Sequence, residues 1–187
     1  HGRWVELHGP DTYNEKHGVN YEYTGIVKAL ANRGFNVISE TRPRGTHPGR
    51  YARQVSKQVR ALIERGVPPG NISVSGHSKG GLMSLLVAVL TGNGQVNYVN
   101  MAGCGRGSQF RQGYNRLLKN NANKLKGRIL SIVDRSDEIA GTCQEAFDAA
   151  SLSDSREIVT RTNKGHGLFY TPEKIWLDAV EKWVKQK

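Results

Sequence analysis

Residues 74–81 read VSGHSKGG, a glycine-rich connection between an apolar run that ends near Ser75 and another that opens at Leu82. At its centre Ser78 stands in a G-x-S-x-G pattern with Gly76 and Gly80. In a chain with 22 glycines that spelling alone is a weak signal. Its flanks are more informative. Residues 71–75 read as a strand, and residues 82–90 are apolar on nearly all sides, the mark of a buried helix. A strand running straight into a helix is what a nucleophilic serine needs if a tight turn is to lift its hydroxyl above a sheet. Small neighbours are required there, because the turn brings strand and helix together and strains the serine backbone. Gly76, His77 and Gly80 are the candidate elbow residues around Ser78.

The same alternation extends in both directions. Residues 4–7 form a short apolar-alternating run ending at His8-Gly9-Pro10, and Tyr23, Ile26, Val27 and Leu30 then recur at helical spacing before Gly34. Residues 35–39 read as a strand. Tyr51, Val55, Val59, Leu62 and Ile63 mark one face of a helix that stops at the prolines of Gly66-Val67-Pro68-Pro69-Gly70. Residues 96–101, 128–133 and 156–160 supply further strands. A last helix is expected to open with Thr171 as N-cap and Pro172 at its first position, carrying Trp176, Val180, Trp183 and Val184 on one face. Six strands alternating with helices predict an α/β domain with a mostly parallel sheet covered on both faces. In such sheets chemistry sits beyond the carboxyl ends of the strands.

Length and composition agree with one globular domain spanning residues 1–187. The longest apolar run is half of what a bilayer requires, so no membrane span is expected. The chain opens on His1 rather than Met and reads as processed or trimmed, so a missing leader says nothing about compartment. Net charge is +11, which favours anionic partners. The excess gathers between Cys104 and Arg128, where Arg106, Arg111, Arg116, Lys119, Lys124, Lys126 and Arg128 occur with no acid. No nucleic-acid motif accompanies them, so no nucleic-acid partner is expected and a solvated face is the simpler reading. Dinucleotide and phosphate-loop patterns are absent.

A serine hydroxyl needs a base within hydrogen-bond reach, oriented in turn by a carboxylate. His77 adjoins the serine and should point away from the hydroxyl. His166, in the flexible run 163-NKGHGLF-169 just past the last strand, has the freedom to turn inward over the sheet. For the acid, Asp134 and Asp137 are both candidates, with Glu138 beside them. Asp134 sits at a strand end and is expected to be taken by local turn bonding. Asp137 has the reach to approach the histidine.

The order Ser78, Asp137, His166 on this strand pattern resembles the α/β-hydrolases, whose nucleophile, acid and histidine follow in that sequence. The likeness runs through VELHGP, ISVSGHSKGGL, SIVDRSDEIAG and NKGHGLFY, and is nearest to small bacterial members of uncharacterised substrate. It implies a cap-less serine hydrolase with Ser78, Asp137 and His166 as triad, acting on a small-molecule ester or thioester, anionic in character if the basic segment borders the site. No metal or organic cofactor is implied. It also implies two further strands at the start that this sequence does not carry. Only about 25 residues separate the strands at 96–101 and 128–133, too few for a large lid. The oxyanion hole would use the Lys79 amide and that of the residue after the HG pair at 8–9. That residue is Pro10, which has no N–H, so Asp11 or a neighbour must replace it. Without a replacement the alternative is a binding protein on a hydrolase scaffold. The two cysteines, Cys104 and Cys143, fall near the active-site edge. The resemblance suggests an exported protein, periplasmic or secreted, in which they would pair as a disulfide rather than stay free thiols.

Overall fold

β-Branched and aromatic residues alternate along four segments that pair side by side: β3 (Ser73–His77), β4 (Asn97–Met101), β5 (Arg128–Asp134) and β6 (Ser155–Thr160). Every pairing in the order β3-β4-β5-β6 is parallel. The structure is a computed structural model that describes residues 1–106 and 108–186, with the backbone alone at 108–110. Each crossover passes through a helix. They are α4 (Lys79–Thr91) after β3, α5 (Ser108–Asn121) after β4 and α6 (Gln144–Ala150) after β5. Upstream lie α1 (Arg3–His8), a two-stranded hairpin of β1 (Thr12–Asn14) and β2 (Val19–Tyr21), α2 (Tyr23–Asn32) and α3 (Pro48–Glu64); α7 (Lys174–Lys185) closes the chain.

The period-two alternation of the strands sorts their side chains to two cores. Tyr98 and Ile129 pack with Ala52 and Val59 of α3, Leu85 and Ala88 of α4, Leu117 of α5 and Phe147 of α6. Val99, Met101, Leu130 and Ile132 face the other way, onto Ile26 and Leu30 of α2 and Trp176, Leu177 and Val180 of α7. A parallel sheet covered on both faces must bury its central strands completely, and every residue of β4 is buried. Among the described residues the segment between β4 and β5 holds one helix and a single 3-10 turn (Ala122–Lys124), with no cap domain.

Three expected elements differ. Residues 4–7 are helical, not a strand: Val5 and Glu6 are neighbours and both buried, which an alternating strand forbids, and Trp4 stacks on His8 one turn later at 3.8 Å. Residues 35–39 keep the exposure alternation of a strand but pair with nothing. A cavity of about 170 Å³ separates Val37, Ile38 and Ser39 from Ser73, Ser75 and Gly76 of β3. Among the described residues the parallel sheet therefore has four of the six expected strands, and the separate hairpin of β1 and β2 is one that the sequence pattern did not predict. The last helix begins at Lys174 rather than Pro172, because the Thr171 carbonyl accepts hydrogen bonds from the Glu173 amide and the Trp176 indole instead of opening the helix.

Cys104, just past β4, and Cys143, just before α6, form a disulfide with Cα atoms 5.4 Å apart. Closing a loop of this length removes unfolded-chain entropy worth about 4 kcal/mol. An antiparallel bridge between Gly105 and Ala140 runs beside it, with the Arg106 amide donating to Ile139 and the Gly141 amide to Cys104. The loop after β5 is thus fastened to the end of β4 both covalently and by hydrogen bonds.

Candidate active site

Ser78 closes β3 and caps α4 with φ +56° and ψ −118°, a conformation that costs a non-glycine residue a few kcal/mol. Its amide donates to the Met101 carbonyl at 2.8 Å, which pins the strained turn to β4. The flanking glycines are required by distance. A Cβ on Gly76 would lie 2.1 Å from the Gly80 carbonyl oxygen, and one on Gly80 would lie 2.7 Å from the His1 carbonyl oxygen. On the sheet side, a Cβ on Gly81 would meet the Gly103 backbone at 2.9 Å. This is the strand-to-helix elbow that VSGHSKGG predicts. The amide of Lys79, first in α4, lies outside the helix ladder and is left to other acceptors.

His166 lies in a 3-10 turn (Gly165–Phe169) beyond β6, and its Nδ1–H donates to Asp137 Oδ2 at 2.8 Å. Both side chains are buried. The second carboxylate oxygen, Oδ1, accepts the amides of Ile139 and Ala140 at 2.8 and 2.9 Å, so the carboxylate cannot swing. In the tautomer with its hydrogen on Nδ1 alone, Nε2 carries the ring's lone pair.

Asp134 is fully engaged elsewhere, as its strand-end position suggests. It accepts the Ser136 amide and hydroxyl, the Thr160 hydroxyl, the Thr162 amide and hydroxyl, and the Gly165 amide. Burial alone would raise its pKa, but these donors outweigh burial and hold it far below the ordinary carboxylate value. Asp134 therefore anchors both ends of the loop that carries His166.

His77 turns its ring toward Tyr21 and the His166 turn. Its Nδ1 pairs with the Tyr21 hydroxyl at 3.0 Å, and that hydroxyl accepts the Gly2 amide at 2.9 Å. Its ring packs 4.7 Å from that of His166 and 5.4 Å from Phe169. Burial first, then the neighbouring His166, amino terminus and His17, hold its pKa well below 6.5, so it stays neutral. The consequence for stability has a definite sign. Below about pH 6.5 the unfolded chain takes up a proton that folded His77 refuses, so stability falls with acidification from there, by up to about 1.4 kcal/mol per pH unit. Asp134, with its depressed pKa, contributes fully above about pH 4 and loses its contribution as pH falls further. Urea midpoints measured from pH 8 to 5 should decline below 6.5, and His77→Gln should flatten that decline; a midpoint indifferent to pH in this range contradicts the assignment.

The residues that approach Ser78 from upstream are not those the sequence pointed to. Because residues 4–7 are helical, Pro10 and Asp11 lie past the far end of α1, where Asp11 accepts the Thr24 amide at 3.0 Å at the start of α2. The HG pair beside the serine is His1-Gly2: a Cβ on Gly2 would lie 3.3 Å from Ser78 Cβ. The difficulty raised by Pro10 concerns the wrong end of α1. His1-Gly2 is held by Arg42, which donates to the His1 carbonyl at 2.6 Å, and by Tyr21. Arg42 also pairs with Glu6 Oε1 at 2.8 Å, and Lys79 Nζ with Glu6 Oε2 at 2.5 Å. This buried triad joins α1, the segment before α3 and the start of α4. His17, in the hairpin turn, brings its ring to 6.0 Å from His166. Neither the triad nor His17 left a periodic or spacing signal, since each partner comes from a distant segment.

Ser78 and Lys79 open onto a cleft of about 690 Å³ bordered by Arg3, Leu7, Arg44, Pro48, Leu82 and Arg116. Among the described residues no helix is long and apolar enough to cross a membrane.

No family model matches the chain, and no curated protein matches it. Solved structures do. SOBER1 of Arabidopsis thaliana superimposes with a TM-score of 0.56 at 16% identity, over 74% of this chain and 63% of that one. A protein assigned as a dienelactone hydrolase from Klebsiella pneumoniae gives 0.55 at 15% identity, over 75% and 62%. One assigned as a YdeN-like hydrolase from Pectobacterium atrosepticum gives 0.55 at 15% identity, over 85% and 82%. The chain thus spans less than two thirds of the length of the first two. At such identities the likeness carries architecture alone. Four parallel strands, the elbow at Ser78 and these superpositions together give this chain the α/β-hydrolase fold.

Proposed function

We propose that the chain is a serine hydrolase that cleaves carboxylic esters or thioesters through an acyl-enzyme on Ser78. The observation that carries this reading is the buried His166–Asp137 pair, locked at 2.8 Å, on the same sheet edge as the strained Ser78 elbow. Ser78 Oγ attacks the acyl carbon and its proton passes to His166 Nε2, while Asp137 holds the ring and stabilises the imidazolium. The same proton then goes to the leaving alcohol or thiol as its bond to the acyl carbon breaks. Water, deprotonated by His166, releases the acid and restores the serine. The Lys79 amide is one oxyanion donor. In this reading the second donor is the amide of Arg3, first in α1 and next to Gly2, which lies beside Ser78. Two aligned donors of this kind lower the barrier by several kcal/mol. The disulfide favours an oxidising, exported setting.

A series of 4-nitrophenyl esters of rising chain length, with one thioester, tests the reaction class. Hydrolysis that Ser78→Ala lowers by four or more orders of magnitude at unchanged thermal stability is the expected result. Turnover that survives this substitution removes Ser78 from the reaction.

A further inference from the structure

Three solvent-exposed arginines line the Ser78 cleft: Arg3 on α1, Arg44 in the segment before α3 and Arg116 on α5. None of them forms an ion pair with a described residue, although other arginines, including Arg33, Arg42 and Arg128, do. The carboxylate in the cleft wall, Glu6, is buried and already shared by Arg42 and Lys79. Its charge is therefore spent inward and does not neutralise the cleft. A solvated basic face would be one run of sequence on one helix. Here three segments far apart in sequence converge, and only Arg116 comes from the basic run between Cys104 and Arg128. Two other members of that run pair with acids elsewhere, Arg111 with Glu145 and Arg128 with Asp154.

Like charges around a concave site repel one another and focus a positive field on its interior, a cost that an anionic ligand relieves. The planar guanidinium fork suits carboxylates and phosphates in particular. Leu7, Pro48 and Leu82 add apolar lining against which a short carbon chain can lie.

We propose that the ester or thioester cleaved at Ser78 carries an anionic group, carboxylate or phosphate, on its acyl part, and that Arg44 and Arg116, with Arg3 beside them, hold that group while the acyl carbon lies at Ser78. The proposal rests on the serine hydrolase reading for its reaction, though its binding half stands separately.

The test compares mono-4-nitrophenyl glutarate with neutral 4-nitrophenyl hexanoate. The wild-type protein should favour the glutarate at least about tenfold in kcat/KM, since hydrogen bonds to charged groups contribute about 1.5–3 kcal/mol each. In the Arg44→Gln/Arg116→Gln variant the ratio should fall about tenfold or more, through KM, and in the wild type it should shrink in high salt. A ratio near one in the wild type, or one that the double variant keeps, overturns the proposal. If neither ester is cleaved, the hydrolase reading fails, and calorimetry on Ser78→Ala decides the binding half. Monomethyl glutarate or methyl 4-phosphonobutanoate should then bind more tightly than methyl hexanoate, and lose that advantage in a Ser78→Ala/Arg116→Gln protein. Equal binding of all three overturns the anion site. The tighter of the two anions shows whether carboxylate or phosphate is the natural group.

Discussion

Asp137→Asn should lower kcat for an activated ester by about 10⁴-fold while leaving the fold in place. The carboxylate now accepts three hydrogen bonds, two from the Ile139 and Ala140 amides on Oδ1 and one from His166 on Oδ2. An asparagine keeps the first two by placing its carbonyl oxygen there. Its amide NH₂ then faces Nδ1 and donates to it, which moves the imidazole proton to Nε2. A histidine protonated on Nε2 has no lone pair for the serine proton, so the loss appears in kcat at ordinary pH and leaves KM nearly alone. Pre-steady-state burst amplitude and far-UV circular dichroism measured together make the check. A folded variant with undiminished acylation would show that Asp137 does not act through His166.

The second large effect falls on stability. Glu6→Ala should destabilise the chain by about 3–5 kcal/mol, the penalty for leaving buried cations without their counter-charge. Glu6 and Arg42 are almost wholly buried, at 1% and 5% side-chain exposure, and Lys79 is close to it at 16%. The damage should also reach function, because the same triad seats His1-Gly2 on the elbow through Arg42 and steadies the first turn of α4 through Lys79. Replacing Glu6, Arg42 and Lys79 together by methionine should recover much of the loss, since a well-packed apolar cluster avoids desolvating charge altogether. Urea unfolding of the three proteins reads both results. A Glu6→Ala midpoint within experimental error of wild type would mean that the triad is solvated and structurally idle.

The elbow, the two covered faces of the sheet and the pairing of Asp137 with His166 were all readable from the sequence. Each rests on a local constraint: glycines where backbones touch, apolar periodicity where a face is buried, and two polar side chains on loops past neighbouring strands. What escaped depended on partners distant in sequence. Glu6 in an apolar-alternating run looks like an outward strand residue until Arg42 and Lys79 are seen to bury it. The pair at 8–9 repeats the letters of the pair at 1–2, and only the helix between them shows which one touches Ser78. Residues 35–39 have a strand's pattern without a neighbour in hydrogen-bond reach, and pattern alone does not supply a neighbour. The disulfide lay between these cases. Cys104 and Cys143 follow adjacent strands, which brings them to one edge of the sheet, while the bond itself shows only in the 5.4 Å approach of their Cα atoms.

The central claim is that Ser78 is a nucleophile activated by His166. Reaction with a fluorophosphonate, followed by intact mass and peptide mapping, tests it with no assumption about substrate. One adduct per chain should form on Ser78, be absent from Ser78→Ala, and form at least about 10³-fold more slowly in His166→Ala. A folded wild-type protein that takes no adduct, or takes it on another residue, would contradict the claim outright.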